Sequence, residues 1–206
     1  LDDAPVRLYV MGENVWRDEQ EWPLARTQYT NWYLHSDGNA LGDGGVLSPD
    51  LPADDEVEDA YVYDPRHPAP TIGGAVGLPG LGIGTNVGYQ DQRPLEARPD
   101  VLVYTSAPLK EAVEVTGPLT VKLHASSNAP DTDFMVRLCD VHPDGSSRIL
   151  AGGTIRARYR NGIDDPSPLE PGKVYEYEID LVATGNLFQP AHCIRVHITS
   201  SSFPFI

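Results

Sequence analysis

Phe134, Val136 and Leu138 alternate with Met135, Arg137 and Cys139, and His142-Pro143-Asp144-Gly145 follows a few residues later. A period of two with two distinct side-chain sets belongs to a half-buried β-strand with different faces. The four-residue segment is turn chemistry, because proline presets φ and glycine takes positive φ freely. Ser147 to Tyr159 then returns as the partner strand. This hairpin commits the chain to antiparallel β structure.

The rest of the chain repeats the pattern. Further strands are expected at Pro5–Gly12, Thr27–His35, about Ala40–Leu47, Ala60–Asp64, Asp100–Ser106, Val113–Ser126, Lys173–Leu181 and His192–Ser200. Glu13–Pro23 reads as a polar loop carrying Trp16 and Trp22, and Pro49–Asp59 as an acidic one. Helix is confined to a turn each at Asp18–Ala25 and Glu96–Ala97. Many short strands joined by turns, with 19 Gly and 19 Pro, predict an all-β sandwich of two packed antiparallel sheets. A jelly-roll is the preferred topology, although pattern alone does not separate it from other sandwiches. A chain of 206 residues fits a single domain over 1–206. At this size roughly 70% of the unfolded surface is buried, so no disulfide or metal is needed for folding.

A formal net charge of −15 argues against nucleic acid and anionic membrane surfaces as partners. Cys139 and Cys193 read as free thiols rather than a disulfide framework. No apolar run reaches the length of a membrane span, and no signal peptide is visible. The expected compartment is a bacterial cytoplasm. The start at Leu1-Asp2-Asp3, without Met, suggests processing or a larger polypeptide.

Hydrolytic chemistry would need a serine on a strained turn, a histidine base and a carboxylate to orient it. No Gly-x-Ser-x-Gly occurs. Serines cluster instead at strand ends, in Ser126-Ser127, Ser146-Ser147 and Ser200-Ser201-Ser202, where edge and turn hydrogen bonding explains them. Catalytic residues are therefore expected to be absent. The histidines form no His-x-His or His-Glu-x-x-His pair, so no zinc site, and no metal or cofactor, is expected. His142 is expected to be solvated in its turn, and His192 and His197 to point to opposite faces of a strand. Asp131 and Asp133, and the acidic loop Asp54–Asp59, invite a Ca²⁺ reading, against which loop capping is the commoner use. The longest irregular segment, Pro65–Gly88, has neither the Lys-Ser/Thr ending of a phosphate loop nor a flanking βαβ unit. Such a long loop is the best candidate for a surface that meets another body.

Several stretches resemble the C-terminal domain of the cocaine esterase and X-Pro dipeptidyl-peptidase family of α/β-hydrolases. They are residues 5–38, 63–74 (YDPRHPAPTIGG), 91–109, 114–145, 155–162 (IRARYRNG) and 170–204. The resemblance implies a jelly-roll β-sandwich, galactose-binding-domain-like, packed against an upstream α/β-hydrolase domain that supplies the Ser, Asp and His. It implies a non-catalytic accessory domain that covers and shapes the active-site cleft. After Thr71-Ile72-Gly73-Gly74 it places Gly77 and Leu78 in the substrate-pocket wall. A homo-oligomer is compatible with it. The alternatives are a stand-alone carbohydrate-binding module, for which Trp16, Trp22 and Trp32 would form a sugar-stacking platform, a calcium-binding module, and an oligomerisation domain.

Overall fold

The computed structural model describes residues 3–75 and 87–206. Among these residues there are ten strands. They are β1 (Val6–Val10), β2 (Val15–Glu19), β3 (Tyr33–His35), β4 (Gly45–Ser48), β5 (Leu102–Thr105), β6 (Val113–Ala125), β7 (Asp133–Val141), β8 (Ser147–Arg156), β9 (Tyr175–Phe188) and β10 (Cys193–Thr199). Among the described residues helix amounts to α1 (Arg93–Glu96) and a 3-10 turn at Ala157–Tyr159.

The strands form a six-stranded sheet in the order β3-β4-β5-β10-β7-β8, a long β6-β9 pair, and a β1-β2 hairpin. All pairings are antiparallel except β4 with β5. The hairpin docks on β9, with Met11 N donating to Gly185 O at 2.8 Å and Leu187 N to Met11 O at 2.8 Å. The fold is an all-β sandwich, as the alternation requires.

The core lies between the six-stranded sheet and β6-β9. Even positions of β7 (Phe134, Val136, Leu138) and of β10 (Ile194, Val196, Ile198) meet Leu123 of β6 and Tyr177, Ile179 and Leu181 of β9. The Phe134 and Tyr177 rings are 4.9 Å apart and tilted. Each such side chain contributes about 1.5–3 kcal/mol by leaving water.

The opposite face of the six-stranded sheet is also buried, and it is polar. Arg137, Cys139, His197 and Thr199 are at most 2% exposed. Residues 87–101, including Leu95 of α1, cover this face, and Thr199 Oγ1 donates to Asp100 O at 2.7 Å. A half-buried strand was the expectation for β7, but both of its faces are covered.

Other differences are local. Glu13–Pro23 is not a loop throughout, because β2 pairs residue for residue with β1 from Val6↔Glu19 to Val10↔Val15. The turn expected at Asp18–Ala25 is therefore strand end followed by bends. Ala60–Asp64 pairs with no strand; Tyr61 is held by its side chain, 2.8 Å from Ser200 Oγ. β9 runs past Leu181 to Phe188, through a bulge between Pro118 and Thr120 of β6. Val182 takes φ 67 within that bulge, with its N–H on Asp180 Oδ1 at 2.7 Å. The Val-Ala-Thr-Gly run thus reads as a strand end while belonging to a continuing strand.

Candidate functional site

The long irregular segment leaves the sandwich from a stem built into the covering layer. Thr71 N donates to Phe203 O at 2.8 Å, and Thr71 Oγ1 donates to Ser202 O at 2.7 Å. Gln92, wholly buried, donates through Nε2 to Ile72 O at 2.8 Å. Gly74 and Gly88 then close the stem by exchanging two backbone hydrogen bonds of 2.9 and 2.8 Å. Gly73 needs its residue type twice over: φ is +69, and a Cβ would meet Gly88 O at 2.7 Å. Gly74 and Gly88 are thus two fixed points held side by side on the covering layer. Gly77 and Leu78 lie outside the described residues.

The serines take the structural roles expected of them. Ser201 Oγ accepts from Ala69 N at 2.8 Å, and Ser202 Oγ is 2.9 Å from Thr71 Oγ1. Ser127 Oγ accepts from Ala129 N at 3.1 Å. Ser200–Ser202, all buried, therefore tie residues 61–71 to the end of β10. Burial pushes the Tyr61 phenol up to about 12, so it reaches Ser200 as a neutral hydroxyl.

One Ser-His-carboxylate contact set does occur. His35 Nδ1 is 2.7 Å from Glu56 Oε1, and His35 Nε2 is 3.3 Å from Ser48 Oγ. Nε2 also faces Asp50 O at 3.1 Å. A triad base needs a free lone pair on that nitrogen to take the serine proton. Here both ring nitrogens face oxygen acceptors, and the grouping clamps the acidic loop to β3 and β4.

Of the carboxylates considered for Ca²⁺, Asp131 and Asp133 are engaged by arginines. Asp131 Oδ2 is 2.5 Å from Arg158 Nε, and Asp133 Oδ1 is 2.9 Å from Arg156 Nε. Asp59 accepts from Ser36 Oγ, Ala40 N and Tyr104 Oη at 2.7–2.8 Å, an anchoring role. Trp16, 61% exposed, packs edge-on to Tyr9 at 5.3 Å under Arg7, while Trp32 lies against the core. The three tryptophans do not share one platform of that kind. Cys139 and Cys193 are free thiols. No helix among the described residues is long and apolar enough to cross a membrane.

Two features were not foreseen. Gly88, Gln90 and Gln92 form the returning side of the stem; the glycines bracketing the loop are its only trace in sequence. His142 is not simply solvated, since its Nε2 lies 2.9 Å from Tyr89 Oη.

The chain matches, over residues 2–206, the family described as the X-Pro dipeptidyl-peptidase C-terminal non-catalytic domain. The chain belongs to this family. Cocaine esterase of Rhodococcus sp. (strain MB1 Bresler) is 45% identical over 201 residues, 97% of this chain and 34% of that protein. An aminopeptidase from a marine sediment archaeon, Thaumarchaeota archaeon, superposes with a TM-score of 0.85 at 32% identity. It is matched over 99% of this chain and 34% of its own. An α-amino acid ester hydrolase superposes with a TM-score of 0.81 at 28% identity, over 98% of this chain and 34% of its own. The chain thus spans about a third of the length of the relatives it matches. The non-catalytic description agrees with serines and carboxylates that are engaged in holding the fold.

Proposed function

We propose that this chain is the accessory β-sandwich of a serine hydrolase of the acyl-esterase or X-Pro dipeptidyl-peptidase type. In this reading an α/β-hydrolase domain lies upstream in the same polypeptide, and the sandwich covers and shapes its active-site cleft. The Gly74–Gly88 stem carries the proposal. It fixes both ends of a long loop against the sheet, as a wall segment must be fixed if it is to hold a substrate group. Gly77 and Leu78 are the proposed wall residues. A covering domain acts without supplying chemistry of its own: it excludes water and restricts the poses a substrate can adopt.

Two measurements test this reading. Residues 1–206 alone are expected to hydrolyse no ester or X-Pro peptide and to resist covalent labelling by a serine-directed phosphonate. Labelling, located by mass spectrometry within these residues, would refute the non-catalytic role. In the longer polypeptide, replacing residues 76–86 by a short Gly-Ser linker is expected to lower kcat/KM by about tenfold or more. A transition-state loss of about 1.4 kcal/mol, one lost wall contact, corresponds to that factor. The drop should differ between bulky and small acyl groups while the thermal midpoint stays put. Unchanged kcat/KM for every substrate would remove the loop from the cleft.

A further inference from the structure

Beyond the stem, the end of the six-stranded sheet gathers a second set of side chains. Asp140 and His142 are two residues apart at the end of β7, so they project to one side of the sheet. Cys193 is paired with Val141, which places His192 opposite His142 where the two strands run on. Their rings are 4.4 Å apart between centroids. His192 Nδ1 lies 2.8 Å from Asp140 Oδ1, and His142 Nε2 lies 3.8 Å from Asp140 Oδ2. One donor atom from each of the three residues falls within 4.8 Å of the other two.

The carboxylate explains why this grouping is more than a hydrogen-bonded corner. The Asp140 side chain is only 2% exposed, and among the described residues no Lys or Arg nitrogen lies within 4.0 Å of it. Its neighbours are two imidazoles and the Tyr89 phenol, whose hydroxyl is 3.3 Å from Asp140 Oδ2. Elsewhere in the chain such carboxylates meet guanidinium, as Asp100 does in Arg98 and Glu96 in Arg195. A buried carboxylate without a fixed cation is paired with a protonated group or coordinates a metal.

We propose that Asp140, His142 and His192 bind one divalent transition-metal ion of the zinc class. His142 Nε2, His192 Nδ1 and a carboxylate oxygen of Asp140 are the ligands. Two imidazoles and one carboxylate match the borderline softness of such an ion better than that of Ca²⁺ or Mg²⁺. Ligand bonds of about 2 Å in a tetrahedral site put donor atoms roughly 3.3 Å apart, and one donor atom from each residue already lies within 4.8 Å of the other two, so small side-chain shifts complete the set. Three protein ligands leave a fourth position for water or an incoming group. Tyr89 is a positioning residue through Asp140, its hydroxyl 3.3 Å from Asp140 Oδ2, and its present contact with His142 Nε2 would pass to the ion. The Pro143-Asp144-Gly145 turn holds His142 from behind, with His142 N on Ser146 O at 2.9 Å and Gly145 N on His142 O at 2.9 Å. The ion would clamp the β7–β8 hairpin to the start of β10.

The test is calorimetric titration of the polypeptide with Zn²⁺, together with Co²⁺ absorption spectroscopy of the unmutated protein. One saturable Zn²⁺ per chain is expected, with the visible Co²⁺ bands of a low-coordinate nitrogen and oxygen site. His142→Ala, at the most exposed ligand, should abolish that binding. Tyr89→Phe should weaken it by about tenfold. His124→Gln, at an exposed histidine paired with Glu176 far from the cluster, should leave it unchanged. No saturable binding, or binding that survives His142→Ala, would overturn the proposal.

Discussion

Gly153→Ala lowers the stability of the sandwich by about 3 kcal/mol, the upper end of what overpacking a tight core costs. Gly153 lies in β8 opposite Val136, with its missing side chain turned toward the second sheet. A Cβ there would sit 2.0 Å from Asp180 O and 2.8 Å from its carbonyl carbon, both backbone atoms of β9. No rotamer change relieves a clash with backbone, so the sheets must separate locally and loosen the contacts around Ile179 and Leu181. Gly172→Ala is the control. Its φ is +78 with nothing within 4 Å of a Cβ, so it carries only left-handed strain of about 1–2 kcal/mol. Urea unfolding of both variants distinguishes the two mechanisms. A Gly153→Ala midpoint no lower than that of Gly172→Ala would mean that β8 and β9 are not held at this spacing.

The same close approach shows what the sequence could and could not say. The β7-β8 hairpin is legible in its inner apolar face, its turn and its return, which all lie within a short local stretch, while its second covered face and the register shift at Leu138/Cys139 are not. The inner face of β10 is equally plain. What hid was everything decided by distant partners. Arg137, Arg195 and His197 alternate with apolar residues just as solvent-facing side chains do. Arg195 and His197 are covered because Glu96 arrives from a segment about a hundred residues away, and Arg137 reaches Ser201 O beyond the end of β10. Gly152-Gly153 looks like a flaw in a strand until β9 is laid across it.

The functional surfaces divide in the same way. Gly73-Gly74 marks the outgoing side of the stem through a local motif. The return depends on the backbone pairing of Gly88 with Gly74 and on the buried Gln92 side chain, which no spacing announces. Asp140 and His142 are near neighbours in sequence, yet only the antiparallel register brings His192 to them. Family resemblance made up part of this gap: it identified the domain and its non-catalytic character, where pattern alone supported a sandwich of unspecified use.

Glu96→Ala costs about 3–5 kcal/mol, because it strands a buried cation and a buried imidazole on the covered face of the sheet. Arg195 Nη1 lies 2.6 Å from Glu96 Oε2 and His197 Nε2 lies 3.0 Å from Glu96 Oε1. Burial pushes the Glu96 carboxyl up, but the hydrogen bond from His197 and the charge of Arg195 outweigh it and hold the group at about 2. Burial pushes His197 the other way from its ordinary value, downward, against the hydrogen bond to Glu96. Neutral His197 then donates Nε2–H to Glu96, and its Nδ1 faces the Cys139 thiol at 3.9 Å. That thiol is pushed up to about 12 by burial and stays protonated. The network therefore holds one true ion pair, Glu96 with Arg195, extended by two neutral donors. Its pH dependence follows from the sign of the Glu96 shift. A carboxyl lowered from 4.5 to about 2 on folding stabilises the native state fully above 4.5 and loses that contribution as pH falls toward 2. Glu96→Gln, which cannot titrate, should be less stable than the unmutated chain by a constant amount above that window, and the gap should close within it. Urea midpoints measured across the acid range read this directly, and a gap that persists down to pH 2 would mean that shape rather than charge holds α1 on the sheet.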